Sequence, residues 1–262
     1  MVLKAINKFR PKALQLVHVY GFPARDTIKI IKICKKRNIK IIEDTSESLG
    51  AKLNNKMVGT FGDINVTSIR SEKMIGVGEG AVISTKNKKI FENISLLASR
   101  SAPFRKSTDP YWKKYYVVGE GYNYLMPHLL GSVARAQIER FNTVLLKKKI
   151  SVGKNYFRIL KKNNLAFGQK LIKNSKPVFW LNSVLFNKNS KKEVRKIGEM
   201  LKKKGIEVRS GFWPLNLLKN FDMKYVTKKN ITKRIFEKII ILPSSYDLKI
   251  KDINYIVKSI KK

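Results

Sequence analysis

Three side chains with chemically useful groups follow one another in the first half of the chain. Asp44 ends the apolar segment IKIIED, and Ser68 and Lys73 come at the end of the next apolar segment, NVTSI. Three glycines follow in KMIGVGEGA, and glycine lets the backbone turn sharply and approach a ligand. A carboxylate, a hydroxyl and an amine can transfer protons or bond covalently to a substrate. A solvated lysine beside a turn would show the same local pattern, so these residues alone leave both interpretations open.

The segments that carry these residues alternate between strand and helix patterns. The strand candidates are short apolar runs, KALQLVHVY, IKIIED, NVTSI and GAVIST. The helix candidates place apolar residues at helical spacing, in ARDTIKIIKICKKRN and KNKKIFENISLLAS. Strand, helix and strand in this order favour parallel pairing with a right-handed crossover, and hence an α/β fold with a mostly parallel sheet. Such sheets bind ligands beyond the carboxyl ends of their strands, where Asp44, Ser68 and Lys73 are expected to lie.

The second half begins with a helical pattern that is unusually long for a globular protein. It runs from Pro127 to the end of RILKK, so we predict a break or kink near Phe141 or Gly153. Further elements follow: a strand WLNSVLF, a helix SKKEVRKIGEMLKKKG, a strand IEVRS and a terminal helix LKIKDINYIVKSIKK. We therefore predict one domain over residues 1–142 and a smaller α/β domain over residues 143–262, joined by the long helix.

The formal net charge of +38 is the most conspicuous property of the composition. A basic protein can neutralise phosphates, so nucleic acid is one class of partner to consider. The lysines, however, are spread along the chain, mostly beside apolar helical stretches, where a solvated helix face is the ordinary interpretation. The sequence shows neither zinc-finger spacing nor basic runs interleaved with stacking aromatic residues. We therefore expect attraction for anionic, phosphate-bearing substrates, with nucleic-acid binding as the less favoured function.

Composition also bears on compartment and on metal binding. No run of about 18 apolar residues and no secretory signal pattern is found, so we expect no membrane association. The single cysteine, Cys34, lies in an amphipathic run and is expected to pack in a helix rather than act as a nucleophile. The two histidines, His18 and His128, leave no histidine-rich metal site. These features predict a protein of the reduced cytoplasm without a metal centre.

Three longer blocks resemble a known enzyme family: IIEDTSESLGA, FGDINVTSIRSEKMIGVGEGAVIST and GEGYNYLMPHLLGSVARAQIERF. They are similar, in this order, to the DegT/DnrJ/EryC1/StrS family of pyridoxal-phosphate-dependent sugar aminotransferases, which have the fold-type-I fold. VHVYGFPA before them, and GIEVRSGFWPL and ILPSSYDL after them, also resemble family segments, so the likeness covers almost the entire chain. The resemblance implies that residues 1–142 are the C-terminal portion of the large cofactor-binding domain and that residues 143–262 are the small domain.

The resemblance gives a role to the lysine and to the aspartate. Lys73 matches the family lysine that forms a carbon–nitrogen double bond with the aldehyde of pyridoxal 5′-phosphate and later moves a proton on the substrate. Asp44 matches the aspartate that keeps the pyridine nitrogen protonated, so that the ring withdraws electrons from the substrate carbon. A local alternative for Asp44 is a strand-end aspartate that caps the turn TSESLG.

Three further residues match cofactor-binding positions of the family. Glu47 corresponds to a variable position near the ring, and a helix-surface glutamate is its alternative. Ser68 corresponds to the phosphate-binding serine that precedes the lysine by five residues. Asn123, in GYNYLMP, corresponds to an asparagine that reaches the phosphate in the neighbouring subunit, which implies a homodimer with shared active sites. A turn-forming asparagine is the other interpretation.

The function implied by the resemblance is transfer of an amino group, with glutamate as the donor, to a keto-sugar linked to a nucleoside diphosphate. The products of such enzymes feed surface-polysaccharide or glycan assembly. Lysine at position 73 favours transamination over the related sugar dehydratases, which have histidine there. Arg209, in GIEVRSG, is either a substrate contact or an exposed strand-end residue.

The chain also departs from the family pattern. Leu125 stands where relatives usually carry arginine, which puts a local contact in doubt. Relatives begin roughly a hundred residues earlier, with a phosphate-binding Gly-Thr/Ser-Ala loop at a helix N-terminus, so we expect an N-terminally truncated chain. A catalytically incomplete fragment of such an enzyme is therefore the main alternative to an active aminotransferase, and a basic nucleic-acid-binding protein is a less favoured one.

Overall fold

The computed structural model describes residues 2–187, 189–220 and 231–261. Its helices, in chain order, are α1 (Val2–Phe9), α2 (Thr27–Lys36), α3 (Lys88–Ala98), α4 (His128–Arg140), α5 (Leu146–Lys162), α6 (Lys191–Lys203), α7 (Ile231–Phe236) and α8 (Ile250–Lys261). Its strands are β1 (Ala13–Val17), β2 (Lys40–Asp44), β3 (Lys52–Leu53), β4 (Lys56–Met57), β5 (Ile64–Ser68), β6 (Ala81–Thr85), β7 (Ala166–Phe167), β8 (Ser175–Lys176), β9 (Asn182–Leu185), β10 (Arg209–Ser210) and β11 (Ile239–Leu242).

The chain forms two compact units. The first consists of the residues before Tyr20 together with Pro23–Leu49 and Lys56–Phe141. The second consists of Tyr20–Phe22, Gly50–Asn55 and the residues from Asn142 onward. All five residues that the sequence nominates for cofactor binding belong to the first unit.

The first unit is built on a four-stranded sheet in the order β1-β2-β5-β6. β1, β2 and β5 pair in parallel, and β6 pairs antiparallel with β5. Helix α2 connects β1 to β2 and packs Ile30, Ile31 and Cys34 into one core cluster with Ile41 of β2. The predicted β–α–β unit and mostly parallel sheet are confirmed. Cys34 is a core residue, as expected, and its burial raises the pKa of the thiol more than nearby Arg37 lowers it.

Helix α1 is a feature that the sequence patterns do not predict. It buries Ile6 in the same cluster as Leu16 and Ile39. Its eight residues make only about two helical turns, too few for a periodic pattern to stand out. The helix therefore depends on tertiary packing rather than on a strong local signal.

A π-helical turn at Phe141–Leu145 separates α4 from α5. The break expected near Phe141 is thus confirmed, whereas α5 runs without interruption through Gly153. The glycine at 153 has a packing reason instead. A Cβ atom there would lie 2.1 Å from Cγ of Phe179, so any side chain would collide with that ring.

The second unit is built on an antiparallel sheet in the order β10-β11-β9-β7. Helices α5, α6 and α8 bury their apolar faces in one core cluster with β9 and β11. The strand expected over IEVRS is shorter than predicted, because only Arg209–Ser210 pairs with β11, while Ile206 and Val208 point into the core. Among the helices that the structure describes, none has the length and apolar character needed to span a bilayer.

Candidate active site

Asp44 is the last residue of β2 and lies half-buried at the carboxyl end of the parallel strands. Its Oδ1 accepts a hydrogen bond of 3.0 Å from the backbone amide of Ser46, and its Oδ2 accepts one of 3.1 Å from Nε2 of Gln15. The first bond is the turn-capping contact that the sequence also suggested. It fixes the orientation of the carboxylate relative to the end of the sheet.

A short series of hydrogen bonds joins Asp44 to Lys73. Ser46, which donates to Asp44, accepts a bond of 3.0 Å at Oγ from the amide of Ser68. Ser68 Oγ in turn accepts a bond of 3.3 Å from the amide of Arg70. The amide of Lys73 then donates to the carbonyl of Arg70 at 2.9 Å. We call this series the strand-end relay. It brings the three residues of the sequence prediction to one edge of the sheet, because β2 and β5 are parallel neighbours.

Lys73 lies in a closed loop that begins at Ile69 and ends at Gly80. The amide of Ile69 donates to the carbonyl of Gly80, and the amide of Val77 donates to the carbonyl of Ile69, both at 3.0 Å. Gly80 has φ +142°, a conformation that side chains rarely allow. Met74 and Val77 are buried while Lys73 is half-buried, so the loop is anchored by apolar residues next to the lysine.

Glu43, next to Asp44 on β2, carries a fully buried carboxylate that the sequence analysis does not single out. Oε1 accepts hydrogen bonds from Nε2 of His18 (3.1 Å) and the amide of Gly59 (2.8 Å). Oε2 accepts bonds from the amides of Phe61 (2.6 Å) and Gly62 (2.7 Å). Burial raises the pKa of this carboxyl, but the hydrogen bonds from His18 and the three amides outweigh it, so the pKa is lowered overall. The sequence did contain a sign of this site: Glu43 is a charged residue next to the apolar residues of β2, and a buried charge requires hydrogen-bond partners.

His18 directly follows β1 and forms a hydrogen bond with Glu43 of β2. The imidazole is fully buried. Its Nδ1 accepts a hydrogen bond of 2.9 Å from the amide of Ala24, so Nε2 is the nitrogen that donates to Glu43. The hydrogen bond between His18 and Glu43 links the carboxyl ends of β1 and β2, one residue before Asp44.

The remaining nominated residues lie outside the strand-end relay. Glu47 is half-buried in the turn after Asp44. Asn123 is exposed and forms an isolated β-bridge with Ser99, in the segment that leads to α4. Leu125, two residues further, is also exposed. An exposed Asn123 has its amide accessible from outside the chain.

Arg209 lies in the second unit, where it is exposed at the start of β10. Its guanidinium pairs with Oε1 of Glu207 through Nη2 at 2.8 Å and Nε at 3.2 Å. The arginine therefore has a local partner two residues away. This geometry matches the exposed strand-end alternative for Arg209.

Comparison with known proteins identifies the family. The model of the DegT/DnrJ/EryC1/StrS aminotransferase family matches residues 1–261. A GDP-perosamine synthase of Escherichia coli O157:H7 is 32% identical over 260 residues, which cover 98% of this chain and 66% of that protein. A GDP-perosamine synthase of Vibrio cholerae is 29% identical over 226 residues, 84% of this chain and 57% of that protein. The chain thus spans about two thirds or less of the length of these relatives.

The fold has close counterparts among solved structures. The structure of Helicobacter pylori PseC, an aminotransferase involved in the biosynthesis of pseudoaminic acid, superposes with a TM-score of 0.88 at 22% identity. The match covers 100% of this chain and 69% of that one. An aminotransferase of this family from Brucella abortus matches with a TM-score of 0.82 at 20% identity, over 99% of this chain and 67% of that one. The sequence and fold comparisons agree, and the chain belongs to the DegT/DnrJ/EryC1/StrS aminotransferase family.

Proposed function

We propose that this chain is the catalytic-lysine part of a pyridoxal-phosphate-dependent aminotransferase that acts on a nucleotide-linked keto-sugar. The strand-end relay carries the proposal, because it joins Asp44, Ser68 and Lys73 at the edge of the sheet where α/β folds bind ligands. Family membership and the names of the relatives, which include synthases of a GDP-linked sugar, support the substrate class. Glutamate is the proposed amino donor, and surface-polysaccharide or glycan assembly is the proposed use of the product.

The groups at this edge fit pyridoxal 5′-phosphate by their chemistry. An amine, a half-buried carboxylate and a hydroxyl are what the aldehyde, the ring nitrogen and the phosphate of that cofactor require. When bound, the cofactor supplies an electron-withdrawing ring that stabilises negative charge on the substrate carbon. Lys73 would hold its aldehyde carbon and then carry a proton between substrate and cofactor atoms.

The other nominated residues would orient the cofactor. Asp44 would keep a proton on the ring nitrogen, and its bonds to Ser46 and Gln15 hold the carboxylate for that contact. Ser68 would donate its hydroxyl to the phosphate, and Glu47 would lie beside the ring. Asn123 would reach the phosphate of a second subunit, which makes a homodimer with shared sites the proposed active form.

The charge of the chain supports a phosphate-bearing substrate. With a net charge of +38, the protein attracts anions at long range, and a nucleoside diphosphate carries several negative charges. This attraction requires no particular lysine. It predicts that substrate binding weakens as ionic strength rises, because salt screens exposed charges.

A second candidate is a chain that is catalytically incomplete by itself. β6 is an edge strand of the four-stranded sheet. Its residues Val82 and Ile83 point to opposite faces of the sheet and are 48% and 47% exposed. Strands of mostly parallel sheets are normally covered on both faces. Together with the partial coverage of the relatives, this exposure favours a cofactor domain that needs further polypeptide to retain its cofactor. The assignment of residues 1–142 to that domain and of 143–262 to the small domain is part of the same proposal.

Reductive trapping tests the proposal and separates it from its alternatives. The purified chain is incubated with pyridoxal phosphate, reduced with borohydride and digested, and the modified peptide is located by mass spectrometry. We expect the label on Lys73, its loss in Lys73→Ala, and its retention in Lys89→Ala, a control at an exposed lysine of α3. Label spread over many lysines, or no label at all, would support the incomplete chain. Salt-sensitive retention on DNA that survives Lys73→Ala would support the nucleic-acid alternative.

A further inference from the structure

We infer that Gln137 of α4 is a positioning residue that holds the Lys73 loop in place, an inference that rests on the proposed function. The side chain of Gln137 makes two hydrogen bonds to one residue, Gly76. Its Oε1 accepts from the Gly76 amide at 3.0 Å, and its Nε2 donates to the Gly76 carbonyl at 2.6 Å. The carboxamide thus satisfies both backbone groups of Gly76, as a neighbouring strand would do.

Gly76 is a point where the loop has little freedom. A Cβ atom there would lie 2.4 Å from the carbonyl oxygen of Ser71, so the backbone passes too close for any side chain. Its neighbours Ile75 and Val77 are buried. A peptide group between buried neighbours has little access to water, so a partner within the protein stabilises it. Gln137 provides that partner for Gly76, which is three residues after Lys73.

The other glycines of KMIGVGEGA face the same stretch of chain. A Cβ atom on Gly78 would meet Leu130 at 4.0 Å, and one on Gly80 would meet the terminal methyl of Met126 at 2.8 Å. The loop therefore lies along α4 and the residues just before it. Gln137 adds a polar contact to this row, and hydrogen bonds depend on direction more strongly than apolar contacts do.

Two charged residues of α4, Arg135 and Glu139, lie two positions before and after Gln137. Arg135 and Glu139 pair with each other at 3.1 Å and are largely exposed. Glu139→Ala is therefore a matched control, since it changes the same helix two residues away. Gln137→Glu keeps an acceptor for the Gly76 amide and removes the donor to the Gly76 carbonyl, which gives a graded second variant.

The first measurement requires no cofactor. Hydrogen exchange of the Gly76 amide in Gln137→Ala is expected to be about tenfold faster or more than in the unaltered chain, because the amide loses its acceptor. Glu139→Ala should leave it unchanged, and Gln137→Glu should give an intermediate rate. Equal protection in all four proteins, with unchanged melting temperatures, would overturn the inference.

The second measurement concerns the lysine amine. A short pulse of acetic anhydride, followed by peptide mass spectrometry, reports the reactivity of Lys73 relative to exposed Lys89. We expect this ratio, and the rate of pyridoxal-phosphate trapping on Lys73, to change in Gln137→Ala and not in Glu139→Ala. Faster Gly76 exchange with an unaltered Lys73 ratio would reduce Gln137 to a structural role and overturn the inference. Absence of trapping in the unaltered chain would refute the proposed function alone, because the acetylation ratio still reports the lysine.

Discussion

Replacing Glu43 by glutamine tests the buried carboxylate behind Asp44. Each of its two oxygens accepts hydrogen bonds from two donors, His18 and Gly59 on one side and Phe61 and Gly62 on the other. Glutamine has the same shape, but one oxygen becomes an NH₂ group that cannot accept. Whichever oxygen is replaced, two N–H donors lose their acceptor in a site without water contact.

The expected cost follows from that count. Leaving one buried donor unsatisfied costs about 1–3 kcal/mol, so Glu43→Gln should lower the free energy of unfolding by about 2–6 kcal/mol at neutral pH. Urea denaturation followed by circular dichroism measures this difference. Glu92→Gln is the control, because Glu92 is exposed on α3 and its contact with Lys88 is 3.8 Å long. Its effect should stay within about 0.5 kcal/mol.

The same variant predicts a pH dependence with a definite sign. The pKa of the Glu43 carboxyl is lowered in the folded chain, so the unfolded chain takes up the proton first as the pH falls. The stabilisation by this carboxylate is complete above its unfolded pKa, about 4.3, and is lost as the pH falls through the folded value. The stability gap between the wild type and Glu43→Gln should therefore narrow below about pH 4. A gap below about 1 kcal/mol at neutral pH, or one that is constant down to low pH, would refute the reasoning.

Three other perturbations have clear expected outcomes. Burial lowers the pKa of Lys149 to about 8 in the folded chain, so above that pH the unfolded chain binds one proton more than the folded chain. The free energy of unfolding should therefore rise from about pH 8 to pH 10 in the wild type but not in Lys149→Met, as measured by urea titrations at each pH. Gly153→Ala should destabilise the protein by about 1–3 kcal/mol because the new Cβ would overlap the Phe179 ring. Gly131→Ala on α4, where a Cβ would have open space, should stabilise it by about 0.5–1 kcal/mol. A melting curve of Gly153→Ala identical to that of the wild type would contradict this packing. Ser190→Ala removes the capping box of α6 and should cost about 1 kcal/mol in thermal unfolding, with no loss if the cap is absent in solution.

The contacts that position the candidate site were decided by tertiary structure. Glu43 and His18 are 25 residues apart, and Gln137 and Gly76 are 61 residues apart. Patterns of neighbouring residues carry no information on such partners, since they reflect only the local period. Burial supplies the missing constraint, because a polar group removed from water must find a partner wherever the fold brings one. The same holds for Gly153. The sequence suggested a helix break there, whereas the structure shows a glycine that is needed because the Phe179 ring packs close to the helix backbone.

The sequence by itself determined most of the longer helices and strands of the structure and pointed to the residues of the candidate site. Alternating apolar runs and helical spacing sufficed for the β–α–β unit, for the break near Phe141, and for Asp44 and Ser68 at strand ends with Lys73 in the loop that follows. These features depend on residues close in the chain, which is why local periodicity and strand order predict them. Tertiary structure alone decided how far each strand pairs, as in the shortened β10, and which distant side chains hold the Lys73 loop. Pairing and packing depend on the whole fold, so no segment contains that information by itself.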